Sequence, residues 1–162
     1  MNRYDMEIKI RELIKQYAPS GTKFAWDNAT RRFGCCRYKT NRFTGEVHDF
    51  RITISYPLAS RNDWEVVKRT VLHEIAHART PNHGHDAIWR RECRLIGGDG
   101  ERCYRNTEQG GDVVALPFKY IGVCPVCGVK FHRNRLTQGA RTGYHCRSSA
   151  PIVWRENGVR VA

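Results

Sequence analysis

The stretch Val71-Leu72-His73-Glu74-Ile75-Ala76-His77-Ala78 decides how this chain is read. It has the form H-E-x-x-H. Residues four apart share one face of a helix, so His73 and His77 present two imidazoles to one point. Neutral imidazoles suit a borderline-soft divalent ion, above all zinc. Glu74 lies beside the pair without being drawn into the metal shell. From there it can take a proton from a water that the metal has made acidic. The pattern is the hydrolytic core of a zinc metallopeptidase.

The flanking sequence supplies a helix to carry it. Trp64, Val67, Val71, Ile75 and Ala78 fall on one side at helical spacing, with the histidines nearly opposite. Asn62 and Asp63 offer an N-cap, Glu65 lies in the first turn and Pro81 ends the run. A catalytic zinc takes a third protein ligand and leaves its fourth position open. His83 has the spacing of the long metzincin pattern, but Thr80 stands where that pattern needs glycine. His85 opens a second apolar-periodic segment, Ala87, Ile88, Trp89, Cys93, Leu95 and Ile96, closed by Gly97-Gly98. A ligand there is held on a rigid element. His85 is favoured as the third ligand, with His83 as the alternative.

His73-Glu74-Ile75-Ala76-His77, then Gly84-His85 with an aromatic at Trp89, then Leu95 and Gly97, resembles the SprT-like family. So does the upstream run Phe33-Gly34-Cys35-Cys36, followed by the strand-like Ile52-Thr53-Ile54-Ser55. That family includes the Spartan protease, which degrades proteins crosslinked to DNA. The likeness extends over roughly residues 5 to 155. One departure is Asp86, where many relatives have glycine after the third histidine. The resemblance implies a mini-zincin fold, a zinc-dependent endopeptidase, and DNA-bound or DNA-crosslinked protein as substrate, with cleavage switched on by DNA.

The chain has 162 residues, 40% of them apolar, enough to bury a core. Met6, Ile10, Leu13, Ile14 and Tyr17 form one face of a helix over residues 6–18, ended by Pro19-Ser20-Gly21. Phe24 to Trp26 and Phe33 to Tyr38 read as strands. Phe50, Ile52, Ile54 and Tyr56 alternate as a half-buried strand does. The expected fold is therefore α+β: a helix, a small mainly antiparallel sheet, the H-E-x-x-H helix and a second helix. The Gly-rich stretch from Gly97 to Asp112 reads as a linker, in which Tyr104 is taken as a packing residue. Residues 1–112 form the expected protease domain, and 113–162 a basic, zinc-ribbon-like nucleic-acid-binding module.

That division follows charge. Residues 119–162 hold eight Lys or Arg and one acid, a net +7 of the chain's +12. Aromatics (Phe118, Tyr120, Phe131, Tyr144, Trp154) are interleaved with them. Cations neutralise phosphates and aromatics stack on unpaired bases, so DNA is the expected partner, single-stranded or bound without sequence preference. The tail also holds Cys124-Pro125-Val126-Cys127-Gly128, a knuckle that aims two thiolates at one ion. Cys146 follows at ribbon spacing, but its expected partner position is Ser149. Either His132 or His145 completes a second, structural zinc shell, or the ribbon binds zinc poorly or not at all. His132-Arg133-Asn134-Arg135 is similar to the basic run of these ribbons, which suggests phosphate contacts by Lys130, Arg133, Arg135 and Arg147.

Seven cysteines, with Cys35, Cys36, Cys93 and Cys103 lacking metal spacing, indicate a reducing compartment rather than a disulfide scaffold. No apolar run is long enough to cross a membrane, and no signal core follows the N-terminus. The expectation is a monomer in the cytoplasm, nucleoid-associated or nuclear in a eukaryote, and not secreted. Two other classes fit less of the sequence: a general cytoplasmic metallopeptidase indifferent to DNA, and a non-catalytic nucleic-acid-binding metalloprotein.

Overall fold

The computed structural model describes residues 1–102, 113–142 and 146–161. Cys103, Tyr104, Tyr144 and His145 lie outside the described residues. The chain divides into two compact units, Met1–Leu116 and Pro117–Ala162. The first contains α1 (Arg3–Tyr17), β1 (Lys23–Asp27), β2 (Gly34–Thr40), β3 (Val47–Ser55), the short α2 (Tyr56–Ala59), α3 (Trp64–Arg79) and α4 (Ala87–Leu95).

Helix α1 begins at Asn2, whose side chain accepts from the Asp5 N–H, satisfying one donor that the first turn leaves open. Met6, Ile10 and Ile14, four apart, are its buried face. The sheet has the order β1-β3-β2. β2 and β3 pair antiparallel, but β1 runs parallel to β3. The mainly antiparallel sheet expected of this unit is thus corrected to a mixed one. Alternation of apolar residues fixes which face of a strand is buried and says nothing of its neighbour's direction. Phe24, Ile52 and Cys36 lie in one register row, and all three pack in the core.

Helix α3 is central. Val67, Val71, Ile75 and Ala78 are buried as the pattern requires, and so are Thr70, Leu72, Glu74 and Ala76. It packs against α1, β2, β3 and α4, so it has little solvent face to spare. Helix α4 is capped by Asp86, whose side chain accepts from the Trp89 N–H. Trp89, Cys93 and Ile96 are buried, whereas Ile88 and Leu95, expected with them, are exposed. An Arg79–Glu92 ion pair ties α3 to α4.

The second unit contains β4 (Tyr120–Val123), β5 (Lys130–Arg133), α5 (Gln138–Thr142), β6 (Val153–Glu156) and β7 (Val159–Arg160). Its antiparallel sheet has the order β5-β4-β6-β7. Tyr120, Cys124, Leu136, Ile152 and Trp154 form a small core. A Cβ at Gly122 would lie 2.6 Å from Ile152 and 2.8 Å from the Trp154 ring, so β4 accepts only glycine there. Among the described residues no helix is long and apolar enough to cross a membrane.

Candidate metal centres

His73 and His77 stand one turn apart on α3, and His85 lies just before α4. The His85 Nε2 is 3.0 Å from the His73 Nε2 and 3.1 Å from the His77 Nε2. The His85 Nε2 offers either one proton or one lone pair to two neighbours, so it cannot satisfy both and one close approach stays repulsive. A cation between them removes the repulsion, and in a tetrahedral zinc site neighbouring nitrogens stand about 3.3 Å apart. Burial, then the neighbouring imidazoles, pulls His73 down to about 4. His77 is lowered to about 4 and His85 is lowered too, burial being the first cause in each. The rings are therefore neutral at ordinary pH, the form that binds a metal. The donor set fits a divalent ion of zinc's kind.

His83 is elsewhere. Its Nδ1 lies 2.8 Å from the Asp86 carboxylate, the same side chain that caps α4. Between the two sequence candidates, the structure brings His85 to the pair and leaves His83 out. Trp89 underlies all three rings, with centroids 4.6 Å from His73, 5.1 Å from His77 and 4.6 Å from His85. It is fully buried, and its Nε1 has no hydrogen-bond partner among the described residues. The indole forms a dry wall that fixes where the imidazoles can stand.

Glu74 is buried between α3 and β2. A Cβ at Gly34 would sit 2.7 Å from the Glu74 Cγ and Oε1, so β2 needs a glycine to come this close. Burial raises the Glu74 carboxyl to about 7, against an opposing hydrogen bond from the Cys36 backbone and the pull of Arg32. Sequence reasoning named Gly34 and Cys36 only within the family-like run Phe33 to Cys36 and gave neither a role, because the signal is a strand-to-helix approach and not a spacing. Burial, and next the Glu74 charge, pushes the Cys36 thiol up to about 12. That thiol is no thiolate nucleophile.

In the second unit Cys124, Cys127 and Cys146 converge. Cys146 Sγ is 3.0 Å from Cys124 Sγ and 3.6 Å from Cys127 Sγ. Backbone N–H groups of Val126 and Cys127 point at the Cys124 sulfur, and that of Ser148 at the Cys146 sulfur. Hydrogen bonds from Cys146, Ser148 and the Cys127 backbone lower the Cys124 thiol to about 6. Sulfurs around a tetrahedral zinc stand about 3.8 Å apart, so this donor set also fits a soft divalent ion. His132 does not join it. That ring lies on β5 against Phe118, centroids 5.0 Å apart, and β5 pairs it with Ile121, three residues before Cys124. The other histidine considered, His145, lies outside the described residues. The group beside the sulfurs is Ser148, whose Oγ is 3.2 Å from Cys124 Sγ and 2.7 Å from Cys146 Sγ.

Lys130, Arg133, Arg135 and Arg147 are all exposed, but they do not share one face. Lys130 and Arg133 are three apart on β5, and alternation points them to opposite sides.

The model of the SprT-like family matches residues 5–109, well over half of the chain, and ends before the cysteine unit. No curated protein and no solved structure matches the chain. The match covers α1 through α4 and the convergent histidines, and on that ground the chain belongs to the SprT-like family.

Proposed function

We propose that this protein is a zinc-dependent endopeptidase that acts on DNA-bound or DNA-crosslinked proteins and is recruited and activated by DNA. The observation that carries the hydrolytic part is the convergence of three neutral imidazoles next to a buried carboxyl on the same helix. His73, His77 and His85 hold the ion. Zinc bound there supplies Lewis acidity, which acidifies water and polarises a carbonyl. Glu74 is the general base. Its carboxylate takes the proton of the attacking water and returns it to the nitrogen of the leaving amine. A carboxyl raised to about 7 can do both near neutral pH. The Cys36 backbone N–H and Gly34 hold that carboxylate in place, and Trp89 keeps water away from the back of the histidines.

The DNA part rests on charge and on family. Net +7 over residues 119–162 attracts a polyanion, and the resemblance to a family that includes the Spartan protease suggests DNA-linked protein as the substrate class. Cys124, Cys127 and Cys146 hold a second, structural zinc that keeps the basic unit folded. Lys130, Arg133, Arg135 and Arg147 contact phosphates, with no base-reading helix among the described residues, so sequence preference is low.

The test is cleavage of a DNA-binding protein with and without single-stranded DNA, for the wild type and Glu74→Gln. Cleavage should need both DNA and Glu74, with the variant losing about 10²–10⁴-fold in kcat while retaining its zinc. Cleavage that ignores DNA would reduce the reading to a plain metallopeptidase. Wild-type cleavage by Glu74→Gln would remove Glu74 from its role.

A further inference from the structure

The register of the first unit's sheet aligns three cations that are far apart in sequence. Lys23 on β1 pairs with Arg51 on β3, and Arg51 pairs with Arg37 on β2. All three are exposed. The adjoining row, Phe24, Ile52 and Cys36, packs in the core. Alternation therefore turns Lys23, Arg51 and Arg37 to the outer face of the sheet together. The next outward row is Ala25, Thr53 and Cys35. These are small side chains that leave the cations standing clear.

Like charges directly opposite one another across strands destabilise a sheet. A row of three breaks that rule twice, and nearby acids do little to relieve it. Asp49 is held by Lys39 at 2.8 Å, and Asp27 by Arg32. Lys23 adds a weaker pull on Asp49, whose carboxyl is lowered first by Lys39. Among the described residues none of the three row cations forms an ion pair. A local rule broken on a rigid, exposed element points to a ligand that relieves it.

Geometry selects the ligand. Neighbouring strands lie about 4.8 Å apart, so the row spans about 10 Å. That is the axial rise of about three nucleotides of one strand, which carries one charge per ~3.4 Å. Two of the three cations are arginines, whose planar forks match phosphate oxygens. The row also ends close to the catalytic helix, since Arg37 follows Cys36, whose backbone holds Glu74.

We propose that the outer face of the three-stranded sheet, through Lys23, Arg51 and Arg37, is a second nucleic-acid site that grips the phosphate backbone. This rests on the reading of DNA as the partner, and moves part of its binding from the cysteine unit to the unit that holds the histidines. Contacts are to phosphate alone, so the site is indifferent to base sequence.

The experiment uses the full, zinc-loaded chain and a labelled single-stranded oligonucleotide, with affinity measured by anisotropy over a range of salt. Two triple variants are compared with the wild type: Lys23→Gln/Arg37→Gln/Arg51→Gln on the sheet, and Arg133→Gln/Arg135→Gln/Arg147→Gln on the cysteine unit. Each phosphate contact contributes about 0.7 to the slope of log K against log salt for a single strand. The sheet variant should lose about two from that slope and bind roughly a hundredfold more weakly at 0.1 M salt. An unchanged melting curve and unchanged zinc content would show that it is folded. Wild-type affinity and slope in the sheet variant, with binding lost in the other triple, overturns the sheet site and leaves DNA as the partner. A wild type that binds no oligonucleotide overturns both. Polyglutamate competing as well as DNA at equal charge overturns the assignment to phosphate.

Discussion

The two metal-compatible clusters of this chain are built in opposite ways. The histidine cluster hangs on α3, which is buried among α1, the sheet and α4, and Trp89 backs all three rings. The cysteine cluster hangs on tight turns. Cys127 is exposed, Cys146 half-buried, and the core beneath is Tyr120, Cys124, Leu136, Ile152 and Trp154. The first cluster is carried by a helix packed on several elements. On the function proposed above, the second is part of what makes its fold. An ion that reacts needs ligands held by something else, whereas an ion that staples can be held by the segment it organises.

Chelation tests that contrast with the largest effect. Structural zinc sites in small peptides carry apparent binding free energies of about 10–16 kcal/mol, and units below about 70–80 residues rarely stand on their apolar core alone. Stripping the metal should abolish hydrogen-exchange protection in β4 to β7 while α1 and α3 keep theirs. Activity should vanish along with the ion held by His73, His77 and His85. Loss of protection in both units together, or in neither, would end the distinction between a staple and a reactive site.

A second test asks whether the histidine unit stores strain at Glu74 when no ion is bound. The carboxyl titrates near 7 in the fold and near 4.5 when unfolded. Between those values the folded state binds the extra proton, so stability falls as pH rises from about 4.5 through 7. Fully expressed, that shift corresponds to about 3 kcal/mol. Glu74→Gln has nothing to ionise. In the metal-free protein it should melt above the wild type at pH 8, and the gap should close by pH 5. Equal melting temperatures at pH 8 would mean that the carboxyl is solvated and not raised.

Much of this arrangement was readable from sequence, and the rest failed for definite reasons. The H-E-x-x-H helix, its apolar side and α1 are local periodicities, and each lies close to where the spacing puts it. That His85 rather than His83 converges on the pair was also legible, because a helix start holds a side chain better than a loop does. Strand direction was not, since β1 and β2 show the same alternation whether parallel or antiparallel. Gly34 against Glu74, Trp89 beneath the three rings and the Lys23–Arg51–Arg37 row are all contacts across elements. For Gly34 and for the cation row no window of sequence contains both partners, and for Trp89 only His85 is near in sequence. In the cysteine unit the knuckle was plain, but spacing could not tell which polar group faces it. Counting from Cys146 pointed to Ser149, and the turn presents Ser148.

That last difference gives the smallest effect and the finest test of the contrast. Ser149 has φ 57°, a left-handed turn position, and its N–H donates to the Cys146 carbonyl at 2.9 Å. The turn leaves Ser148 with its Oγ beside two of the sulfurs. A thiolate is a softer ligand than a hydroxyl and binds zinc more strongly. Ser148→Cys should therefore complete a four-sulfur shell and tighten the metal by about tenfold or more, roughly 1.4 kcal/mol. Cobalt substituted for zinc should show a stronger sulfur charge-transfer band in the same variant. The histidine site, which Ser148 does not touch, should keep its affinity and its rate. Ser149→Cys is the control and should change neither quantity. If the gain appears at Ser149 instead, the turn is not the one described and the residue count from Cys146 was right after all. If Cys124 and Cys146 instead form a disulfide on isolation, neither variant will bind cobalt at this cluster until the protein is reduced. The cysteine cluster would then be redox-labile in a way the histidines cannot be.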